Sequence, residues 1–236
     1  MTKPWDDPPI SRGMKAQLTK RRDRIRAGET PLGWKVGMCT PAMMERLRIT
    51  APLIGFLMQR ALVASGNTVS LKGWYQPVAE PEIAVRMAKD LAANSDRTTV
   101  LAAIASLEPA IELADLDLAV TRENLESVLT NDIFQRHVVL GQKSRAGGNT
   151  TGLSARIIRR GSEAARTAEP EAETGKVLDI VGHVANTLSA FGEKLSAGDI
   201  IICGTIVPPP LVEPDEDGFA YALDPVGEVS VRFSRT

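Results

Sequence analysis

Cysteine is scarce in this sequence, and a strong charge of either sign is missing. The two cysteines among 236 residues, Cys39 and Cys203, form no Cys-x-x-Cys pair. Two distant cysteines provide neither a disulfide framework nor a thiolate metal site, and they suit a reducing compartment. The formal net charge is -1, which removes the electrostatic basis for non-specific binding to nucleic acid. We expect a cytoplasmic protein without a nucleic-acid partner.

Long hydrophobic runs are missing as well. The richest region, residues 100–120, is interrupted by four acidic residues, whereas a membrane-spanning helix needs about 18 or more apolar residues in succession. The first nine residues contain two aspartates and no apolar core, so the sequence predicts no export signal. The 43% content of hydrophobic residues is too high for a disordered chain. These features predict a globular protein that does not span a membrane.

Motifs for nucleotide binding and serine hydrolysis are also absent. The Gly-Lys pair before Val177 lacks the remaining residues of a phosphate-binding loop, since Pro170 and Val177 occupy positions that require glycine and serine or threonine. No Gly-x-Gly-x-x-Gly or Gly-x-Ser-x-Gly segment occurs, and the two histidines are His137 and His183. We expect both histidines to be structural, which leaves a hydrolytic triad unsupported.

Periodicity predicts an α+β fold with a large, mostly antiparallel or mixed sheet. The division expected is an N-terminal helical segment, residues 1–30, followed by a single catalytic domain, residues 31–236. The predicted helices cover residues 10–27, 40–47, 98–106, 122–129 and 177–195. The predicted strands cover residues 32–37, 62–64, 68–71, 77–87, 110–118, 138–140, 155–159, 199–203 and 228–233. The polar stretch at residues 161–174 is predicted to be a loop.

A basic cluster lies in the first predicted helix. Residues 20–26 have the sequence KRRDRIR, which is compatible with phosphate or nucleic-acid binding and also with a solvated helix face. The near-neutral charge of the whole chain favours the solvated face.

Three carboxylates and one lysine stand out in apolar surroundings. Glu80 and Glu82 are two residues apart in a predicted strand, so their side chains point to the same face. Pro81 between them indicates an edge or an irregular strand end. Glu112 lies in a second apolar strand, and Lys35 lies between glycines in a third. Carboxylates grouped in this way suit Mg²⁺ or Mn²⁺, although solvated strand faces also carry such pairs by chance. A structural salt bridge is the alternative for the lysine.

Four segments with these residues occur in a recognisable order. They are GWKVG at 33–37, EPEIA at 80–84, PAIELAD at 109–115 and LSAGDIIICGT at 195–205. Together they resemble the 2-keto-4-pentenoate hydratase and oxalocrotonate decarboxylase branch of the fumarylacetoacetate hydrolase superfamily. The resemblance extends from about residue 30 to the end of the chain.

The resemblance implies a site and a fold. Glu80, Glu82 and Glu112 would ligate Mg²⁺ or Mn²⁺, Lys35 would be catalytic, and the substrate would contact the two residues Gly55 and Thr205. The implied fold is a β-rich domain with a rolled mixed sheet and flanking helices. A homo-oligomer is implied, and related hydratases and decarboxylases also associate with each other. The implied activity is that of a metal-dependent lyase, which hydrates a 2-hydroxy-2,4-dienoate to a 4-hydroxy-2-oxo acid.

Two departures from the family pattern keep alternatives open. Hydratases of this branch usually carry an acid where this chain has Leu53, and their Asp-Asn segment is here Asn131-Asp132. Without the first acid, the water-addition step is in doubt. The alternatives are decarboxylation of an oxalocrotonate-like acid, keto-enol tautomerisation, and a non-catalytic partner subunit of the same fold.

Overall fold

The computed structural model describes residues 3–209 and 211–236, and it contains five α-helices and thirteen β-strands within them. The helices are α1 (Pro8–Arg26), α2 (Pro41–Leu47), α3 (Arg97–Ala102), α4 (Leu125–Thr130) and α5 (Val177–Ala190). The first seven strands are β1 (Pro31–Gly37), β2 (Leu53–Met58), β3 (Leu62–Ala64), β4 (Thr68–Ser70), β5 (Pro77–Met87), β6 (Ile104–Asp115) and β7 (Gln135–Leu140). The other six are β8 (Arg145–Ala146), β9 (Ser154–Arg159), β10 (Ser162–Thr167), β11 (Ile200–Thr205), β12 (Gly218–Asp224) and β13 (Gly227–Ser234).

The strands form two sheets. The larger has the order β2-β1-β11-β5-β6-β7-β3, with β8 beside β6, and the smaller has the order β10-β9-β12-β13-β4. Most neighbours are antiparallel, but three pairs are parallel: β1 with β11, β3 with β7, and β4 with β13. The predicted α+β fold with a mixed sheet is confirmed.

The larger sheet curls into a roll. Strands β1 and β6 are separated by β11 and β5, so in a flat sheet they would lie about 14 Å apart. The Lys35 ammonium on β1 nevertheless contacts the Glu112 carboxylate on β6. The two strands therefore face each other across the inside of the roll, and the rolled sheet implied by the family resemblance is present.

Six buried apolar residues fill the middle of the roll, and we call them the apolar plug. They are Leu57, Ala84, Ala110, Val138, Ile200 and Ile202. Side chains alternate between the two faces of a strand, so Glu82 on β5 and Glu112 on β6 lie on the same inner face as the plug. Each glutamate is two residues away from an alanine of the plug, Ala84 or Ala110. The carboxylates therefore lie at one end of the roll, directly above an apolar floor.

Helix α1 packs on the outside of this core. Ile10, Met14 and Leu18 are spaced four residues apart and are buried in the main hydrophobic cluster, as the helical period predicts. None of the helices in the described ranges is long and apolar enough to cross a membrane.

The basic cluster of α1 is engaged within the protein. Arg21 and Arg22 both pair with Glu193, and Arg24 pairs with Glu29. Arg21 also lies over the ring of Trp34 at 4.4 Å from its centroid. These pairs favour the interpretation of the cluster as part of the folded surface.

The predicted boundary between a helix at 98–106 and a strand at 110–118 is wrong. Helix α3 ends at Ala102, and β6 already begins at Ile104 and ends at Asp115. The early start has a physical reason, because Ile104 and Leu107 extend the ladder with β5 and are buried. Composition favoured helix there, but pairing with a neighbouring strand decided the conformation.

The predicted loop at 161–174 contains a strand, which is a second correction. Strand β10 pairs with β9 in antiparallel register, and most of its side chains are exposed. Without a buried face, the sequence carries no alternating pattern. Strands β2 and β12 were not predicted either. Helix α5 is shorter than predicted, because Gly192 takes a φ of +74° just beyond its end.

Pro81 does not mark an edge strand, contrary to the prediction. Strand β5 lies in the interior of the sheet, between β11 and β6. The irregularity is confirmed, since the register between β11 and β5 shifts between Ile202 and Thr205. At this shift the carbonyl of Pro81 accepts a hydrogen bond of 2.9 Å from the N–H of Ile206. The proline is accommodated where the regular ladder is interrupted.

Candidate active site

The three carboxylates singled out in the sequence lie together. Glu80 and Glu82 share the inner face of β5, and Glu80 is directly opposite Glu112 in the register of β5 and β6. One carboxylate oxygen from each of the three lies within 4.8 Å of the others. Two adjacent antiparallel strands therefore form a compact acidic cluster, which we call the carboxylate cluster.

Burial makes this cluster electrostatically unfavourable without a cation. Glu82 and Glu112 are each 1% exposed. Burial, together with the charge of Glu112, raises the pKa of Glu80 to about 7 and places the pKa of Glu82 well above its ordinary value. The Oε2 atom of Glu112 is buried and has no hydrogen-bond partner among residues 3–209 and 211–236. A free lone pair beside two further carboxylates fits a hard divalent cation.

The backbone of β11 holds Glu82 in place. The N–H of Gly204 donates a 2.6 Å hydrogen bond to Oε2 of Glu82. Gly204 has a φ of +91°, and a Cβ atom there would lie 2.5 Å from the sulfur of Cys39. Glycine is therefore required at this position. The glycine lies in the fourth family segment, but its hydrogen bond was not predicted.

Lys35 lies inside the roll beside the cluster. Its side chain is buried, contacts Glu112 and donates a 3.3 Å hydrogen bond to the carbonyl oxygen of Ile133. Burial by itself would lower the pKa of Lys35, but the nearby Glu112 and Glu80 carboxylates outweigh it and raise the pKa above its ordinary value. In the metal-free protein the lysine is therefore a fixed positive charge.

The two predicted substrate contacts occupy different positions. Thr205 lines the cavity described below, and its hydroxyl donates a 2.6 Å hydrogen bond to the carbonyl of Val207. Gly55 lies next to Lys35 in the register of β1 and β2 and is not among the residues that line the cavity. Its substrate contact remains a prediction, whereas its lack of a side chain makes room for Lys35.

A cavity of about 300 Å³ opens above the carboxylate cluster. Lys35, Glu80, Glu82 and Thr205 form its polar end. The apolar lining comes from Val36, Met38, Met43, Val78, Leu116, Leu118, Val120, Ile133 and Phe134. Arg46 also lines it, but its guanidinium already donates a 2.8 Å hydrogen bond to the carbonyl of Val120. The cavity therefore combines a charged floor with mostly apolar walls.

A fourth carboxylate near the lysine, the partly buried Asp132, was missed by sequence analysis. Oδ1 of Asp132 accepts a 2.8 Å hydrogen bond from the N–H of Phe56. Burial raises the pKa of Asp132 to about 8, and the charge of Lys35 partly opposes this effect. The available signal was the departure at Asn131-Asp132 from the family segment.

Both histidines lie away from this cavity's lining. His183 on α5 makes a 2.9 Å hydrogen bond with the carbonyl oxygen of Pro52, and His137 on β7 stacks on Trp74 with 6.0 Å between ring centroids. Their contacts agree with the structural roles expected from the sequence.

Comparisons with known proteins all indicate the same family. Residues 35–232 match the family model described as fumarylacetoacetate (FAA) hydrolase C-terminal. The chain is 29% identical over 218 residues to the 2-hydroxyhexa-2,4-dienoate hydratase of Comamonas testosteroni, covering 90% of this chain and 82% of the relative. It is 27% identical over 222 residues to the 2-keto-4-pentenoate hydratase of Paraburkholderia xenovorans (strain LB400), covering 92% and 81%.

A solved structure is similar over nearly the whole fold. The 4-oxalocrotonate decarboxylase from Pseudomonas putida G7, complexed with magnesium and adipate, superposes with a TM-score of 0.86 and is 25% identical. The similarity covers 99% of this chain and 90% of that one.

Proposed function

Because this chain belongs to the fumarylacetoacetate hydrolase C-terminal family, we propose that it is a divalent-metal-dependent lyase of the hydratase type. Its substrate would be a small 2-hydroxy-2,4-dienoate, and its product a 4-hydroxy-2-oxo acid. The observation that carries the proposal is the carboxylate cluster beside Lys35 at the floor of an otherwise apolar cavity. The hydratases among its relatives support the same reaction.

The metal would be held by Glu80, Glu82 and Glu112, whose clustered oxygens and unpartnered Oε2 atom suit Mg²⁺ or Mn²⁺. When bound, the ion would supply Lewis-acid polarisation of the substrate carboxylate and 2-oxo oxygens. The 4-oxalocrotonate decarboxylase that is similar in structure was complexed with magnesium in one case and with calcium in another.

Lys35 would act on the 2-oxo oxygen of the substrate. Its ammonium is held by Glu112 and by the carbonyl of Ile133, so it can face the developing negative charge without reorganising. Ketonisation of the dienol removes the proton of the 2-hydroxyl group and places a proton on C5, which leaves a double bond between C3 and C4 conjugated with the 2-oxo group. Water then adds at C4 and loses a proton, and the resulting enolate, whose oxygen the positive charge of Lys35 stabilises, takes a proton at C3 to give the 4-hydroxy-2-oxo acid.

The mostly apolar walls of the cavity suit a substrate whose remote end carries no charge. An oxalocrotonate-like substrate has a second carboxylate at its far end, which needs a cation or several donors when it is buried. Among the described lining residues, Arg46 is the single lysine or arginine besides Lys35, and its guanidinium has further N–H donors beyond the one bonded to Val120, so decarboxylation remains the alternative. Met43 and Leu118 offer the remote end of a substrate an apolar surface instead.

The proposal is tested by following 2-hydroxypenta-2,4-dienoate by NMR in deuterated buffer, with Mg²⁺ and with EDTA. We expect magnesium-dependent formation of 4-hydroxy-2-oxopentanoate by the wild-type protein and none by Glu82→Gln. Carbon dioxide release from oxalocrotonate, with the dienoate left unchanged, would show that the protein is a decarboxylase and not a hydratase. Deuterium uptake without hydration would indicate a tautomerase.

A non-catalytic partner subunit is the remaining alternative, motivated by Leu53 in place of an acid. It predicts no turnover by the isolated protein and activity in a stable complex with an active homologue. We further propose a homo-oligomer, which light scattering after size-exclusion chromatography would test. We also propose a role in the breakdown of aromatic compounds, and the cytoplasmic location and the division of the chain at residue 30 remain predictions.

A further inference from the structure

An unusual backbone turn lies directly against the candidate active site. Asp132, Ile133 and Phe134 have φ values of +57°, +50° and +64°, and none of them is glycine. Side chains disfavour this left-handed region, so three successive residues adopt it where the surrounding structure compensates. Such strain is often found at functional sites, and the contacts of this turn show what it contributes here.

The turn directs four groups toward Lys35 and the cavity. The carbonyl oxygen of Ile133 accepts a 3.3 Å hydrogen bond from Nζ of Lys35. The side chains of Ile133 and Phe134 line the cavity. The carboxylate of Asp132 is directed inward and accepts the N–H of Phe56 on β2.

Gly55 allows Asp132 and Lys35 to approach each other. A methyl group added at Gly55 would lie 2.7 Å from Oδ1 of Asp132 and 2.8 Å from Cγ of Lys35. The carboxylate and the lysine side chain therefore pack on the same spot of β2, and a larger residue than glycine would separate them. The charge of Asp132 also favours the protonated form of Lys35.

We propose that Asp132 is a positioning residue, whose carboxylate fixes the Lys35 side chain in the orientation used for turnover. This inference rests on the proposed function. The chain has Leu53 where the family resemblance leads one to expect an acid, and Asp132 brings a carboxylate against the same strand, β2, beside Gly55. A purely structural role would need only an acceptor for the Phe56 N–H, which an asparagine also provides.

Asp132→Asn separates the two roles at about pH 9, where Asp132, with a pKa of about 8, is ionised. The variant then keeps an acceptor for Phe56 and removes the negative charge. The matched control is Asp199→Asn. Asp199 also accepts a backbone N–H, from Ser196 at 2.9 Å, and it accepts the indole N–H of Trp34 at 3.1 Å. It belongs to neither the carboxylate cluster nor the cavity lining.

The first readout is the NMR signal of the Lys35 ammonium in protein labelled with ¹⁵N-lysine, identified by its loss in Lys35→Met. We expect Asp132→Asn to shift this signal and to speed its exchange with water, and Asp199→Asn to leave it unchanged. The second readout is hydration kinetics. For Asp132→Asn, kcat should fall by about tenfold or more, with KM and the Mg²⁺ dissociation constant within about twofold of wild type.

An unchanged Lys35 signal or an unchanged kcat in folded Asp132→Asn overturns the proposal. If that variant does not fold, Asp132→Ser, whose hydroxyl oxygen also offers an acceptor to the Phe56 N–H, tests the same carboxylate and should move the Lys35 signal in the same way. A wild-type protein that hydrates nothing would refute the proposed function. In that case the Lys35 signal still decides whether Asp132 positions the lysine.

Discussion

Two pairs of opposite charge lie at opposite ends of the same roll, and they differ in how much water reaches them. The side chains of Lys35 and Glu112 are 2% and 1% exposed, whereas those of Arg86 and Glu108 are 42% and 6% exposed. Glu108 and Glu112 come from the same face of β6, with Ala110 of the apolar plug between them. A buried pair gains little stability over apolar residues. The buried pair at one end of the roll therefore indicates a chemical role there. The more exposed pair indicates an ordinary, solvated end of the roll.

The largest contrast is expected from removing the charge of each glutamate. Glu112→Gln removes a proposed metal ligand and the partner of Lys35, so Mg²⁺ affinity and turnover should both fall by roughly 100-fold or more. Glu108→Gln should leave both within about twofold, because its carboxylate lies beyond the plug. Isothermal titration with Mg²⁺ and the hydration assay measure the difference. Wild-type metal affinity in Glu112→Gln would contradict the site assignment.

The second contrast concerns the two cations. Lys35→Met leaves Glu112 buried without its partner and should cost about 3 kcal/mol of unfolding free energy in EDTA. Arg86→Met should cost less than about 1 kcal/mol, since solvent screens a partly exposed pair. Urea unfolding followed by circular dichroism measures both. Equal losses of unfolding free energy in the two variants would show that burial does not change the effect of removing the cation.

The third prediction concerns how the stability of the metal-free protein changes with pH. The pKa of Glu80 is about 7 in the folded chain against an ordinary 4.5, so between these values the folded state binds more protons than the unfolded state. This contribution to stability therefore falls as the pH rises from 4.5 to 7, because the proton must be lost from a buried group. Metal-free wild type should show this decline in melting temperature, and Glu80→Gln should flatten it.

Metal binding should show the opposite trend with pH. A cation displaces the proton from Glu80, so Mg²⁺ affinity should weaken by up to about tenfold per pH unit below pH 7. Titrations at pH 8 and pH 6 measure this change. An affinity independent of pH would mean that Glu80 is ionised throughout.

The smallest effect is expected in the plug between the two pairs. Ile202→Val should lower the unfolding free energy by about 1 kcal/mol through the loss of one buried methylene. Metal affinity should remain within about twofold of wild type, since the carboxylates keep their backbone supports. A parallel loss of stability and metal affinity would show that packing of the apolar plug is coupled to the positions of the metal ligands.

Sequence patterns indicated the faces of the strands but not the way the sheet bends. Alternation placed Glu80 and Glu82 side by side, the apolar surroundings of Lys35 and Glu112 singled them out, and the resemblance grouped all four in one site. The meeting of Lys35 with Glu112 depends on the curl, which brings β1 opposite β6 although two strands separate them. Curl arises from the packing of the whole sheet, so a short window of sequence does not contain it.

Asp132 could not be assigned for a different reason. Its position depends on a left-handed turn, and that turn is stabilised by the N–H of Phe56 and by Lys35, both far away in the chain. Local propensity disfavours such a turn for isoleucine and phenylalanine. Strand β10 was missed because it pairs through its backbone alone and buries almost no side chain.

The position of β11 in the larger sheet has a consequence for how the protein forms. This strand, residues 200–205, is inserted between β1 and β5, so the first four-fifths of the chain cannot complete the sheet that carries Lys35 and Glu82. Contacts between segments this distant in sequence form late and slowly. During synthesis Lys35 is therefore brought beside the carboxylates of β5 and β6 only after the last part of the chain has been made. A nascent chain lacking β11 would keep Lys35 apart from those acids and would leave Glu82 without the N–H of Gly204, so full affinity for a divalent cation would report that folding is complete.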